Sequence, residues 1–126
     1  AFDTLCNHLT DLNRQGDYYD LIVTGDLSNY GKKIMKELMT ENKINYKEYD
    51  DCGCLLYSNN QDVNQGGSGP SCSALVTFGY LYQKMLKHEY RRILVITTGA
   101  LLSPVMTNQK QSIPCIGHAF SLEVVE

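Results

Sequence analysis

The feature that most constrains this fold is an apolar segment that follows a glycine-rich loop. Three glycines lie within four residues, at Gly66, Gly67 and Gly69, and Pro70 comes next. Apolar side chains then recur at helical spacing, at Ala74, Leu75, Phe78, Leu81, Tyr82, Met85 and Leu86. Val76 and Gly79 widen this face, so the pattern predicts a buried helix with little of its surface in water.

The glycine-rich loop has two interpretations. Free N–H groups at the start of a helix point to one place, where they can hold an anion or a carboxylate. Alternatively, the glycines only allow the chain to turn into a crowded core. The loop lacks both the glycine spacing of the dinucleotide motif and the lysine of the P-loop, so the sequence does not support nucleotide binding.

The composition indicates one ordinary domain over residues 1–126, with 43% hydrophobic and 20% charged residues. A net charge of -3 and the absence of a basic run argue against nucleic acid as a partner. No apolar run approaches the ~20 residues of a transmembrane segment. Five cysteines at spacings unlike any secreted pattern indicate reduced thiols. The chain opens directly on helical spacing, which we interpret as part of a longer chain.

Two apolar runs, residues 19–24 and 93–98, predict strands buried on both faces. Amphipathic helices are expected on either side of the first run, the earlier one ending near Gly16 and the later one capped by Ser28 or Asn29. We expect residues 52–57 to be extended and residues 105–111 to be a polar excursion. Residues 113–126 predict an antiparallel return beside the second run, because no helix intervenes. These elements predict an α/β fold with a mixed sheet and a buried central helix.

Asp26 is a candidate site residue because it follows the first predicted strand. Ligands of open α/β sheets bind in the loops at the carboxyl ends of strands. The alternative is a carboxylate that only caps a helix or orders the loop.

The cysteines give weaker signals. Cys52 and Cys54 lack a second pair at zinc-like spacing, so we expect no metal site and interpret them as small packed thiols. Cys115 and His118 could form a nucleophile pair. In an extended strand they would face opposite sides, so contact would need a bend at Gly117, and a structural histidine is the alternative.

Several motifs, in this order, closely resemble the stage V sporulation protein AD family of spore-forming bacteria. They lie at residues 20–28, 66–69, 72–74, 98–104 and 112–118. The resemblance covers essentially this whole chain but only the C-terminal part of the family's longer chain. Because the family is similar to thiolases and ketoacyl synthases, it implies that residues 1–126 are the C-terminal half of a thiolase-like fold.

The resemblance also implies a function. It implies a non-catalytic spore protein that binds dipicolinic acid in the former active-site cleft and supports its uptake into the developing spore, with a link to germination. The implied partners are membrane proteins of the same uptake system and the N-terminal half of the chain. The implied location is peripheral to the inner spore membrane. No cofactor is implied, although calcium could enter with dipicolinic acid.

The ligand-binding residues expected from this resemblance are Asp26, Gly67, Ser68, Met106 and His118, with no metal ligand. Asp26 would repel a dianion unless calcium accompanies it or the side chain points elsewhere. The loops that carry histidine and asparagine in type-III ketoacyl synthases, here residues 24–28 and 66–69, contain neither, so no catalytic residue is expected.

Two alternatives remain. An acyl-transferring enzyme would use Cys115 and His118, because Cys115-Ile116-Gly117 imitates the Cys-x-Gly motif of thiolases, although Thr98 and Gly99 offer a competing alignment. An interaction module would instead need its N-terminal half to cover apolar surface.

Overall fold

The two apolar runs form the middle of a four-stranded sheet in a computed structural model, which describes residues 1–58 and 60–125. β1 (Leu21–Thr24) and β3 (Arg92–Ile96) are parallel neighbours. β2 (Tyr49–Asp51) extends the sheet beyond β1 in parallel, and β6 (Ala119–Glu123) pairs with β3 in antiparallel orientation. The mixed sheet confirms the predicted α/β class and the antiparallel return.

Alternate side chains of β1 and β3 fill two separate cores, one on each face of the sheet. On one face, Ile22, Leu94 and Ile96 pack with side chains of α1 (Phe2–Asp11) and α2 (Ser28–Glu41). On the other face, Leu21, Val23, Ile93 and Val95 pack with α3 (Cys52–Leu55) and a longer helix. Burial of both faces explains why these strands are continuously apolar.

That longer helix, called the central helix below, consists of α4 (Cys72–Ala74), a π-helical segment (Leu75–Leu81) and α5 (Tyr82–Leu86). Its side against the sheet is buried through Cys72, Val76, Thr77, Leu81 and Met85. Val76 and Leu81 lie five residues apart, as the wider turn of a π-helix allows. The 3.6-residue pattern therefore predicts part of the buried side correctly, at Val76, Leu81 and Met85, but it misses Thr77 and wrongly includes the residues of the outer side.

An exposed apolar stripe runs along the outer side of the central helix. It consists of Leu75, Phe78, Tyr82 and Leu86, which are 46–60% exposed, and it includes Gly79. The helix is thus buried against the sheet as predicted, but the expectation that little of its surface meets water is wrong for this chain.

Several local predictions differ from the structure. Residues 52–55 form α3 and not an extended segment, because the Asp51 carboxylate accepts the Gly53 N–H at its start. α1 ends at Asp11 with Asn13 at a positive φ of 48°, whereas Gly16 begins a 3₁₀ turn (Gly16–Tyr18).

The excursion after β3 is structured. β4 (Gly99–Ala100) pairs with β5 (Cys115–Ile116) in antiparallel orientation. Between them lies α6 (Pro104–Asn108), where the Ser103 side chain accepts the Met106 N–H. A short cap and a proline at the first turn explain this helix within a polar segment.

Candidate functional site

An open cleft of about 880 Å³ lies at the carboxyl ends of β1 and β3. Five segments form its walls: the start of α1, the loop after β1, the glycine-rich loop with the start of the central helix, the residues after β3, and the segment from Cys115 to Gly117. Ligands bind at this edge in open α/β sheets. The cleft is therefore the candidate functional site.

Asp26 connects three of these walls through hydrogen bonds. Its Oδ1 accepts the Thr98 hydroxyl at 2.7 Å, and its Oδ2 accepts the Ser68 hydroxyl at 2.8 Å and the Gly69 N–H at 3.0 Å. The Asp26 N–H donates to Thr98 Oγ1 at 3.0 Å. Both carboxylate oxygens are thus engaged by the protein itself.

These contacts set the ionisation of Asp26. Burial raises the pKa of its carboxyl group, but the hydrogen bonds from Gly69, Thr98 and Ser68 outweigh burial and leave the pKa below its ordinary value. The ionised Asp26 side chain therefore links the loop after β1, the glycine-rich loop and the end of β3. These hydrogen bonds of Asp26 are called the Asp26 clasp below.

Behind the cleft, a second carboxylate orders the loop after β1. Asp51 is fully buried at the end of β2 and accepts the Leu27 and Ser28 N–H groups, each at 2.9 Å. The predicted caps, Ser28 and Asn29, are replaced by this carboxylate from a different strand. Ser28 is instead the first residue of α2, with a positive φ of 62°.

The structure places the predicted ligand-binding residues differently. Asp26 and Ser68 line the cleft and contact each other. Gly67 is buried behind the loop, where its N–H donates to the Gly53 carbonyl at 2.7 Å and an added Cβ would lie 2.5 Å from Leu56.

Met106 and His118 are not among the lining residues. Met106 is half-buried in α6, and His118 is exposed just before β6, where its N–H donates to Thr97 Oγ1 at 3.3 Å. A role of these side chains in ligand binding stays a prediction.

Among the lining residues that were not predicted as ligand residues, three can contribute to the chemistry of the cleft. Thr98 follows β3, Ser73 lies in the first turn of the central helix, and Cys115 lies on β5. The Ser73 hydroxyl makes no hydrogen bond within the described part of the chain. Thr98 and Ser73 could have been found with the rule that selected Asp26, because both follow a strand or begin a helix at this edge.

The cleft combines acidic, hydroxyl and apolar groups. Asp3 and Asp26 are its charged side chains, and no lysine, arginine or histidine side chain is among the described lining residues. Leu102, Ile116 and Pro70 add apolar surface. Within residues 1–58 and 60–125, no three His, Cys, Asp or Glu side chains are grouped closely enough to hold a metal ion.

Cys115 and His118 do not form a hydrogen-bonded pair. The Cys115 Sγ lies 3.7 Å from the Ile113 carbonyl oxygen, and the described hydrogen bonds of His118 involve its backbone and Thr97. The Cys115 thiol therefore lines the cleft, but His118 does not act on it as a hydrogen-bonded base.

Fold and cleft together define an α/β protein with an open polar cavity at the carboxyl edge of its parallel strands. The sequence model of the family described as "Stage V sporulation protein AD (SpoVAD)" matches residues 1–123. The chain is also 45% identical over 124 residues to "Stage V sporulation protein AD" of Bacillus subtilis (strain 168). The chain belongs to the stage V sporulation protein AD family, which confirms the resemblance and associates it with sporulation and the spore.

The match covers 98% of this chain but 37% of the Bacillus subtilis relative. The chain thus spans little more than a third of that relative's length. None of the helices in the described part of the chain has the length and apolar character needed to cross a bilayer.

Proposed function

We propose that this chain contributes a non-catalytic binding site for dipicolinic acid and thereby supports uptake of this compound into the developing spore. The observation that carries the proposal is the cleft at the start of the central helix. Dipicolinic acid is a flat aromatic ring with two carboxylates, so it needs hydrogen-bond donors at its edges and apolar surface against its faces. The cleft offers both kinds of surface.

One carboxylate would lie at the start of the central helix, where the helix dipole and the Ser73 hydroxyl favour an anion. The ring would lie against the apolar side chains of Leu102 and Ile116. Asp26 would hold the walls in place without binding the ligand, because its oxygens already accept three hydrogen bonds.

The acidic side chains at the cleft oppose a free dianion. Calcium bound to dipicolinic acid would lower the ligand's charge, and we propose calcium as an optional companion of the ligand, with no other cofactor. For the whole protein, we propose a position peripheral to the inner spore membrane and membrane proteins of the same uptake system as partners.

Calorimetric titration of dipicolinic acid, with and without calcium, into this chain and into the full-length protein tests the proposal. Heat with both proteins supports a site within residues 1–126. Heat with the full-length protein alone supports a site shared between the two halves. No heat with either protein overturns the proposal.

A variant pair localises the site. Ser73→Ala removes a hydroxyl from the cleft, and we expect it to weaken binding about tenfold. The control is Thr10→Ala on α1, where the exposed hydroxyl donates to the Cys6 carbonyl and is not among the lining residues. Equal affinity of Ser73→Ala and the parent protein would contradict binding at the start of the central helix.

We also propose that the exposed apolar stripe packs against the N-terminal half of the longer chain. Leu75, Phe78, Tyr82 and Leu86 lie side by side on the helix and lack cover within the described residues. Gly79 lies among them, and apart from the helix's own backbone no atom of the described residues lies within 4 Å of a Cβ built there, so those residues provide no close neighbour. A glycine costs about 1 kcal/mol inside a helix, and close approach of a partner would explain its presence.

Light scattering tests whether the exposed apolar stripe is a packing surface. We expect this chain alone to associate and Phe78→Gln to reduce the association, because the substitution removes apolar area from the stripe. A monomer with a cooperative thermal transition for the unsubstituted chain would count against the proposal.

A further inference from the structure

We infer that Asp51 is the positioning residue of the cleft: a buried carboxylate that sets the geometry of two cleft walls without touching the ligand. Asp51 is 0% exposed and is not among the lining residues. Its effect on affinity rests on the proposed binding of dipicolinic acid, whereas its effect on the loops does not.

Four hydrogen bonds converge on the two oxygens of Asp51. Oδ2 accepts the Thr24 hydroxyl at 2.6 Å and the Leu27 N–H at 2.9 Å. Oδ1 accepts the Ser28 N–H at 2.9 Å and the Gly53 N–H at 3.0 Å. The carboxylate therefore joins the end of β1, the start of α2 and the start of α3.

The first wall held by Asp51 is the loop after β1. Leu27 and Ser28 directly follow Asp26, the clasp of the cleft, so fixing their N–H groups fixes the backbone that carries the clasp. Thr24 restrains the same loop from its other end.

The second wall is the glycine-rich loop, which rests on α3. The Gly67 N–H donates to the Gly53 carbonyl at 2.7 Å, and Ser28 Oγ donates to the Gly67 carbonyl at 3.4 Å. Because Asp51 holds both Gly53 and Ser28, it sets the two points on which Gly67 rests. The neighbouring residues Ser68 and Gly69 then meet Asp26 at the cleft.

An amide cannot replace this carboxylate. Each Asp51 oxygen accepts two donors, and at least one donor at each oxygen is a backbone N–H that cannot accept from the nitrogen of an asparagine amide. Asp51→Asn therefore keeps the size of the side chain but loses at least one of the backbone hydrogen bonds.

The first test measures the loops directly, by hydrogen–deuterium exchange in the longest natural chain that contains these residues. We expect Asp51→Asn to accelerate exchange at residues 66–69 and 26–29 about tenfold or more. The stability control is Met39→Ala, which opens the core on the opposite face of the sheet. It should lower Tm while leaving exchange at residues 66–69 unchanged, and it is a control for that loop alone because Leu27 packs against the same core as Met39.

The second test measures affinity for dipicolinic acid by calorimetry in the same proteins. We expect Asp51→Asn to lose about tenfold or more in affinity, and Met39→Ala to keep the affinity of the unsubstituted protein. If the unsubstituted protein does not bind dipicolinic acid but Asp51→Asn still loosens the loops, the proposed ligand is wrong and the positioning role holds.

A milder pair covers the case in which Asp51→Asn does not fold. Thr24→Val removes one of the four donors with little change of shape, and Thr24→Ser retains the hydroxyl. We expect faster loop exchange and weaker binding for Thr24→Val, with both restored in Thr24→Ser. Unchanged loop exchange in Thr24→Val, or in a folded Asp51→Asn, would overturn the inference, as would equal loosening of residues 66–69 by Met39→Ala.

Discussion

Asp20 ties the two central strands together at the edge opposite the cleft. Its Oδ2 accepts the N–H groups of Arg91 and Arg92 at 2.8 and 2.9 Å, and its Oδ1 contacts Lys47 Nζ at 2.7 Å. Burial raises the pKa of this carboxyl group, but the Lys47 contact and the two backbone donors outweigh it and lower the pKa to about 2. The ionised side chain is thus part of the β1–β3 connection.

The lowered pKa of Asp20 makes its contribution to stability depend on pH. The folded pKa of Asp20 lies below its unfolded value, so the stabilisation is present above about pH 4 and is lost as the pH falls toward about 2. We expect Asp20→Asn to lower the free energy of unfolding at neutral pH by about 1–2 kcal/mol after allowance for solvent screening. Urea unfolding from acid to neutral pH measures this.

The control for this experiment is Asp17→Asn, an exposed position in the nearby 3₁₀ turn. It should keep the pH slope of the unsubstituted protein, whereas Asp20→Asn should flatten it. If the free energy of unfolding of Asp20→Asn depended on pH as steeply as that of the unsubstituted protein, Asp20 would not be the source of the pH dependence.

Thr98 offers a residue-level test of the Asp26 clasp. Thr98→Val removes the hydroxyl that donates to Asp26 Oδ1, so we expect the pKa of the Asp26 carboxyl group to rise toward its ordinary value. Thr98→Ser retains the hydroxyl and should preserve the low pKa. A carbon-detected NMR titration of the Asp26 carboxyl group gives the answer, and the same pKa in both variants would exclude Thr98 as a clasp partner.

At the level of elements, the sequence predicts those helices and strands that are determined by a local pattern of residues. β1 and β3 were predicted correctly because their apolar runs are continuous. Asp26 was placed at this edge of the sheet because it follows a strand, whereas Ser68 was expected from the family resemblance, and both line the cleft. β2 was missed because Tyr49–Asp51 is short and polar, and α3 because its cap is a carboxylate ordered by distant donors. The buried side of the central helix was predicted only in part, because π-helical spacing, which buries Thr77, leaves no local signature in the sequence.

The effect of Gly79→Ala on stability should depend on whether another part of the protein covers the central helix. Outside the helix's own backbone, an added Cβ meets no atom of residues 1–58 and 60–125 within 4 Å, so Gly79→Ala should stabilise the chain alone by about 0.5–1 kcal/mol through helix propensity. In the full-length protein, a closely packed partner would turn the same substitution into a destabilising one. Thermal unfolding of both proteins compares the signs, and stabilisation in both would contradict a close neighbour at Gly79.

At the level of the whole molecule, the five free cysteines report separately on surface and interior. Cys115 is exposed, Cys6 and Cys54 are half-buried, and Cys52 and Cys72 are buried. Burial, followed by the Asp51 charge, raises the pKa of Cys52 to about 12, and burial also raises the pKa of Cys72. Thiolates are the reactive form, so both buried thiols should be inert in the folded protein.

We therefore expect iodoacetamide near neutral pH to modify Cys115 first and to reach Cys52 and Cys72 only after unfolding. Mass spectrometry at successive times gives the order, with the denatured protein as the reference for an unperturbed thiol. Reaction of Cys115 well above that reference would instead indicate an activated nucleophile and would favour the acyl-transferring alternative.

The parallel pairing of β1 with β3 sets the order in which this protein can fold on the ribosome. Asp20 and Arg92 meet across 72 positions of sequence, whereas Thr97 and His118, which lead into the β3–β6 pair, meet across 21. Long loops close more slowly and at greater entropic cost. The apolar side chains of β1 must therefore remain without their main partner strand until β3 has been synthesised, and during that interval they form an exposed surface that is prone to aggregation.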